Sequence, residues 1–254
     1  MVQEQMNGIP GIFLRVQNAA AFICPTLGAN CLQFRVNENH CLRSPQSFDE
    51  YFSNPCVYGI PLLFPPNRIN HGRFYFGGRE YSFPINEVQR NNHIHGCLYK
   101  TPFQLKEYAE EEDSAKAVFE YQATADKPYL DFPHAFSVTC EWVLTADSLS
   151  QKIIIRNNSM QKMPVGVGTH TALNVCFLVC DQNSQHYRLH IAADEEICSD
   201  KQTLIPTGIK LRNTELLDQL SGCGISPQGS ALSRHLKHGF GAAELVHVPS
   251  GQRI

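Results

Sequence analysis

The strongest hydrophobic signal along this chain repeats every two residues rather than every 3.6. In FSVTCEWVL, Phe136, Val138, Cys140, Trp142 and Leu144 fall on one side of an extended backbone, and Ser137, Thr139 and Glu141 fall on the other. Leu149 to Arg156 is expected to return beside it across a turn at Thr145–Asp147. The same alternation marks Ile12, Leu14 and Val16, then Leu32, Phe34 and Val36, then Tyr187, Leu189 and Ile191. Ala19 to Cys24 is a short apolar run ended by Pro25. Val118, Phe119 and Tyr121 form another strand-like run, and Leu245, Val246 and Val248 a last one. Two short helices are expected. One lies over Ser47–Phe52, with Ser47 as its cap and Asp49 and Glu50 in the first turn; the other runs from Thr214 to Leu220. The long periodic helices of a βαβ fold are missing. The pattern predicts an all-β chain, one antiparallel domain over residues 1–254 folded as a large β-sandwich.

The densest stretch runs from Tyr58 to Gly96. Pro65-Pro66 denies two successive backbone donors to a ladder, so a strand over Ile60–Phe64 must stop there. Arg68 is expected in a loop between Asn67 and Asn70. Phe74 and Phe76 alternate with Arg73 and Tyr75; beyond Gly77-Gly78, Tyr81 and Phe83 alternate with Glu80 and Ser82. Two such arms around a Gly-Gly pair predict a hairpin with a type I′ turn, whose central residues both need positive φ. That hairpin is expected to hold the Arg68 loop at one end and His93 and His95 further along.

Composition narrows the function. A chain of 254 residues, 43% hydrophobic, can bury a sizeable core, and a formal net charge of -3 gives no reason to expect nucleic acid or an acidic membrane as partner. The N-terminal residues lack the basic and apolar regions of a secretory signal, and no apolar run approaches the roughly 20 residues of a spanning helix. The expectation is a soluble, cytoplasmic chain. Its 10 cysteines are scattered without a CxxC pair, which favours reduced thiols over a disulfide framework.

Three polar positions invite a chemical reading. His93 and His95 have strand spacing, which would place both on one side of an extended segment and within reach of a metal. No third ligand stands at a recognisable spacing and no HExxH pattern occurs, so no metal is expected. For His93 the reading is a ring bonded to a nearby carbonyl. His95, followed by Gly96 in a tight turn, stays open between structure and function. His170 sits in PVGVGTHTALN, where it is either a satisfied core histidine or a reactive one reached past Gly166 and Gly168. Arg68 has two equal options, a carboxylate or a ligand hydroxyl.

Taken in order, PPNRINHGRFYFGGREYSFPIN, NNHIHG and MPVGVGTH resemble the aldose 1-epimerase (galactose mutarotase) family, with FPHAF at Phe132–Phe136 and the Asn157-Asn158 turn in support. The resemblance extends over nearly the whole chain. It implies a galactose mutarotase-like β-supersandwich and interconversion of the α and β anomers of a free aldohexose such as galactose or glucose. Carried onto this sequence, it implies that Arg68 binds sugar hydroxyls, His95 steadies the ring-oxygen region and His170 protonates the ring oxygen. A His suits that role because its pKa lies near neutrality. No metal or organic cofactor is implied.

The chain departs from the family pattern in places. The family's base is a Glu close to the C-terminus, and the sequence reaches Ile254 without one. Glu195-Glu196, Glu215 and Glu244 stand in the wrong contexts. In LSRHLKHGF, Ser233 or a neighbour stands where the family commonly has a sugar-binding Asp, and Thr171 to Leu173 replace a Pro and aromatic residues after His170. Val246–Val248, Pro249-Ser250-Gly251 and Gln252–Ile254 read as a strand, a turn and the start of a second strand. The expectation is a member lacking its C-terminal strands and impaired as a catalyst. The alternative is a non-catalytic carbohydrate-binding or sensing module. An epimerase for phosphorylated hexoses would need an additional Arg or Lys cluster for the phosphate, and none stands out.

Overall fold

A computed structural model of the chain describes residues 4–191, 193–211, 233–236 and 243–254. The chain forms two compact units, Met1–Asn174 and Val175–Ile254. The expected helix over Thr214–Leu220 lies outside the described residues.

The first unit is built on two antiparallel meanders. Glu4–Met6, Ile9–Val16, Ala19–Cys24, Asn30–Val36 and Asn39–His40 pair in chain order as one five-stranded sheet. Gln104–Glu110, Ala115–Ala123, Phe136–Leu144 and Leu149–Asn157 pair in chain order as a four-stranded sheet. Their apolar faces share one core. Ile12, Leu14, Ala21 and Ile23 from the first sheet cluster with Phe119, Val138, Cys140 and Trp142 from the second. The period-two face is buried as the sequence predicts: Phe136, Val138, Cys140, Trp142 and Leu144 are each 0% exposed. The indole of Trp142 keeps its N–H satisfied by donating to the Ala29 carbonyl, 2.9 Å away, which also ties the two sheets together.

Ala19–Cys24 is buried along its entire length because both its faces are covered. Ala19, Ala21 and Ile23 face the inter-sheet core, while Phe22 and Cys24 join a second cluster with Ile9, Leu32, Tyr51 and Tyr58. The short helix Phe48–Ser53 supplies Tyr51 to that cluster, and Ser47 caps it by accepting the Glu50 N–H at 3.1 Å.

Smaller pairings sit on this frame. Arg73–Phe76 and Arg79–Ser82 form the expected hairpin, with Gly77 and Gly78 at φ 58 and 78. Arg68 is not in a loop, as the sequence suggested, but opens a three-residue strand, Arg68–Asn70, antiparallel to Asn92–Ile94. The histidine segment is therefore fixed to the arginine segment by direct backbone pairing, not through the hairpin. Leu62–Leu63 pairs with Gly168–Thr169, so the third motif is joined to the segment that leads into the first.

In the second unit, Tyr187–Ile191 pairs with Ala243–His247, and Ala193–Ser199 lies between Pro206–Leu211 and Ser233–Leu236. The final residues fold back as read from the sequence: Leu245 and Ile254 exchange backbone hydrogen bonds at 2.9 and 3.0 Å. The nine described cysteines are free thiols.

One contact fixes the first unit's irregular region. Gly96, at φ 63, lies in a parallel bridge to Phe64, so close that a Cβ would overlap the Phe64 carbonyl oxygen. The Tyr129 hydroxyl donates to that carbonyl and accepts the Cys97 N–H at 2.7 Å. A side chain at 96 is thus opposed by both φ and space. Gly96→Ala is expected to destabilise the protein by at least 1–2 kcal/mol, roughly the cost of a strained backbone alone. Urea unfolding monitored by circular dichroism measures it, with Gly77→Ala, where nothing lies within 4 Å of a Cβ, as the control for φ without the clash.

Candidate functional site

Pairing of Arg68–Asn70 with Asn92–Ile94 puts Arg68 opposite Ile94, the residue before His95. Two asparagines sharpen the junction. Asn67, at φ 57, uses its carbonyl to accept the His95 N–H at 3.0 Å and its side chain to accept the Arg68 N–H at 2.9 Å. Asn86 grips Ile94 from the other side, accepting its N–H at 2.6 Å and donating to its carbonyl at 2.8 Å. Such Asn positions suit turns because the short amide tolerates positive φ and mimics backbone.

The expectation that His93 and His95 share a face does not hold. The strand ends at Ile94, and His95 takes φ 64, which breaks the extended backbone that the spacing argument assumed. His93 is 1% exposed, packs on Phe83 with centroids 4.9 Å apart, and bonds the Pro84 carbonyl at 2.7 Å through Nδ1. It is the carbonyl-bonded core histidine expected.

His95 meets His170 instead. Their ring centroids are 5.7 Å apart at an interplanar angle of 68°. His170 is exposed and follows the Gly168–Thr169 strand, its N–H donating to the Pro61 carbonyl at 3.2 Å. Gly166 and Gly168 let the Pro66 ring come close: a Cβ at either would come 3.2 or 3.1 Å from it. Burial, with the neighbouring His170 and Arg68 charges, lowers the His95 pKa to about 4. The ring is therefore neutral near pH 7. Its Nδ1 is buried without a partner among the described residues.

Of the two options for Arg68, the structure shows the carboxylate, and it is Glu87, which the sequence did not single out. Glu87 takes Arg68 in a fork, from Nε at 2.8 Å and from Nη2 at 2.8 Å, with side chains 20% and 11% exposed. Asn92, fully buried, donates to the same carboxylate at 2.9 Å. The Arg68 bonds, then those from Asn92, hold the Glu87 pKa below its usual value. Such a fork fixes the guanidinium plane and leaves Nη1 directed elsewhere. The missed signal was INEVQRNN: a lone Glu ahead of a tight turn, closed by mutual backbone bonds between Glu87 and Asn92 at 3.0 and 3.2 Å. A cavity of about 330 Å³ adjoins this region, lined by Pro65, Pro66, Ile69, Phe83 and Val165 among others.

Arg68, His95 and His170 are thus brought together on adjoining segments of one unit. The Ser233 side chain lies outside the described residues. Glu244 belongs to the second unit's Ala243–His247 strand, with Arg253 at 3.6 Å.

Two expectations follow from these electrostatics. Replacing Glu87 by Gln keeps the shape but removes the charge, and should cost about 1.5–3 kcal/mol, the range for hydrogen bonds to charged groups; equilibrium urea unfolding of both proteins reports it. Because the Glu87 pKa is lowered on folding, its contribution is intact above about pH 4.3 and fades as pH falls through the folded value. His95 acts in a higher window. Its folded pKa of about 4 lies below the usual 6.5, so the unfolded chain takes up the proton first and stability falls as pH drops from 6.5 towards 4. An NMR titration of the His95 ring should show it still neutral at about pH 6.

Known proteins share this fold. A galactose mutarotase-like protein from Clostridium acetobutylicum superposes with a TM-score of 0.89 at 27% identity, covering 99% of this chain and 78% of that one. A galactose 1-epimerase from Lactobacillus acidophilus shares the fold at a TM-score of 0.70 and 15% identity, over 96% of this chain and 75% of that one. In sequence, the uncharacterized Escherichia coli protein YihR is 28% identical over 150 residues, 58% of this chain and 45% of that protein. A second, YphB, is 26% identical over 111 residues, 44% of this chain and 35% of that protein. The chain so matches less than half the length of these curated relatives. The model of the family described as aldose 1-epimerase matches residues 13–251, and on that near-complete match the chain belongs to the aldose 1-epimerase family.

Proposed function

We propose that the chain binds a free aldohexose, with galactose or glucose as the type substrate, and interconverts its anomers by acid–base opening of the ring. The observation that carries this reading is the approach of the His95 and His170 rings, 5.7 Å between centroids, beside an arginine clamped by Glu87. The chemistry consists of proton transfers. An acid delivers a proton to the ring oxygen while a base takes the C1 hydroxyl proton, and the C1–O5 bond opens to the aldehyde. Rotation about C1–C2 and reclosure return both protons and give the other anomer. Nothing in these steps consumes an organic cofactor or requires a metal.

His170 is the proposed acid: it is exposed, so it can both reach a sugar and regain its proton from solvent. His95 is held neutral and presents Nε2 to the ring-oxygen region, where a second cation would oppose protonation of the sugar. Arg68 binds hydroxyls through the part of its guanidinium that Glu87 leaves open. Glu87 is the carboxylate beside this group, and its fork to Arg68 makes it a poor base. Residues 1–254 are accordingly proposed to bind sugar but exchange anomers slowly. The same ion pair favours the second reading, a sugar-binding module without catalysis.

In any active form of the protein, His170→Asn is expected to lower the mutarotation rate roughly 10²–10⁴-fold, the range for a lost general acid, with sugar affinity little changed. Polarimetry on freshly dissolved α-galactose measures the rate and ligand-observed NMR the affinity. An unchanged rate would remove His170 from the mechanism. For residues 1–254 the discriminating result is the rate itself: a folded chain with rapid exchange would mean that another group serves as base.

A further inference from the structure

The second unit gathers its own set of titratable side chains. Asp181 Oδ2 lies 2.6 Å from His186 Nδ1 and 2.9 Å from His247 Nε2, and all three ligand-type atoms fall within 4.8 Å of one another. We propose that Asp181, His186 and His247 form a binding site for a divalent late first-row transition ion, with zinc as the type ion, that pins the loop 181–186 to the end of the Ala243–His247 strand.

The fold builds this cluster from three directions. The register Tyr187↔His247 brings His247 beside the residue that follows His186. The Tyr187 hydroxyl donates to the Asp181 carbonyl at 2.6 Å and anchors the loop. Asp181 Oδ1 is occupied by the Asn183 N–H at 2.9 Å, which leaves Oδ2 aimed at both imidazoles. His247 is 5% exposed, so two charged or polar ligands surround a ring already withdrawn from water. Two nitrogens and one carboxylate oxygen suit zinc and its neighbours, and a tetrahedral ion would keep one position for water.

The surroundings of His247 match those of a metal-bound imidazole. Its Nδ1 lies 2.7 Å from Ser250 Oγ, and Ser250 in turn donates to Gln252 Oε1 at 3.2 Å. An Nδ1–H donated to Ser250 fixes the tautomer that presents the Nε2 lone pair to a metal, the outer-sphere arrangement expected of such ligands. Without an ion, protons take its place: each imidazole N–H donates to Asp181 Oδ2, and these bonds hold the carboxyl well below its usual range. Metal entry moves each proton to the other ring nitrogen, and the Ser250 hydroxyl, the donor to His247 Nδ1 in the ion-free state, turns to Gln252 and accepts. For His186 that nitrogen is 3.2 Å from Asn183 Nδ2, itself a donor, so the amide must turn aside and water accept. A side chain 43% exposed permits this. Ligand atoms on a tetrahedral ion with bonds of about 2.0–2.1 Å stand roughly 3.3 Å apart. The contacts to Asp181, at 2.6 and 2.9 Å, therefore open by roughly 0.7 and 0.4 Å.

The experiment is a cobalt titration of the purified, metal-stripped 254-residue chain, followed by absorption spectroscopy and thermal unfolding. Cobalt is chosen because its spectrum separates nitrogen and oxygen ligands from the chain's many thiols. The expected result is one bound ion per chain, no cobalt–thiolate charge-transfer band, and a raised unfolding temperature. His186→Ala, at the most exposed ligand, and Asp181→Asn should each weaken binding by at least about tenfold. The proposal is overturned if the unaltered chain does not take up the ion at micromolar concentrations, if the thiolate band appears, or if both variants bind as tightly as the parent. The parent titration decides even if a variant fails to fold.

Discussion

The irregular half of the first unit hangs on the contact between Gly96 and the Phe64 carbonyl. The regular sheets on either side are ordinary meanders, and their pairing follows from alternation and short turns. Around the histidine segment there is too little ladder to set a position that way. A single parallel bridge, with the Tyr129 hydroxyl shared between the Phe64 carbonyl and the Cys97 N–H, does it instead. Because glycine lets two backbones touch, the backbone of the residue before it is held in place. That residue is His95.

From there, polar groups order one another outward. Asn67 ties the backbones of Arg68 and His95, Asn86 ties Ile94, and Glu87 orients the guanidinium. Each tie is short in sequence and would be a weak constraint alone. Anchored at Gly96, together they put one fixed cation, one neutral ring and one exposed ring on adjoining segments.

The regular elements were readable from the sequence because side-chain alternation and turn chemistry are local. Phe136–Leu144, its partner Leu149–Asn157 and the Gly77-Gly78 hairpin fall where the residues predict. So does the Ser47-capped helix. The site was legible only as a set of residues. Strand spacing put His93 and His95 on one face because nothing local reveals that His95 adopts positive φ; that follows from Gly96 meeting Phe64, more than thirty positions earlier. Glu87 escaped notice for the same reason, since its partner is 19 residues away. Gly166 and Gly168 permit a close approach, of another segment or of a ligand, and it is the Pro66 ring that comes close.

That close approach carries a consequence for how the protein can vary. Pro66 belongs to the segment leading to Arg68, and Gly166 and Gly168 to the segment leading to His170. One ring and two bare α-carbons form a shared wall between them. Neither segment is then free to drift by itself: a bulkier residue at 166 or 168 must be answered by a smaller one at 66, or the other segment moves with it. Among relatives, these three positions should change in concert, a joint inheritance imposed by steric fit alone.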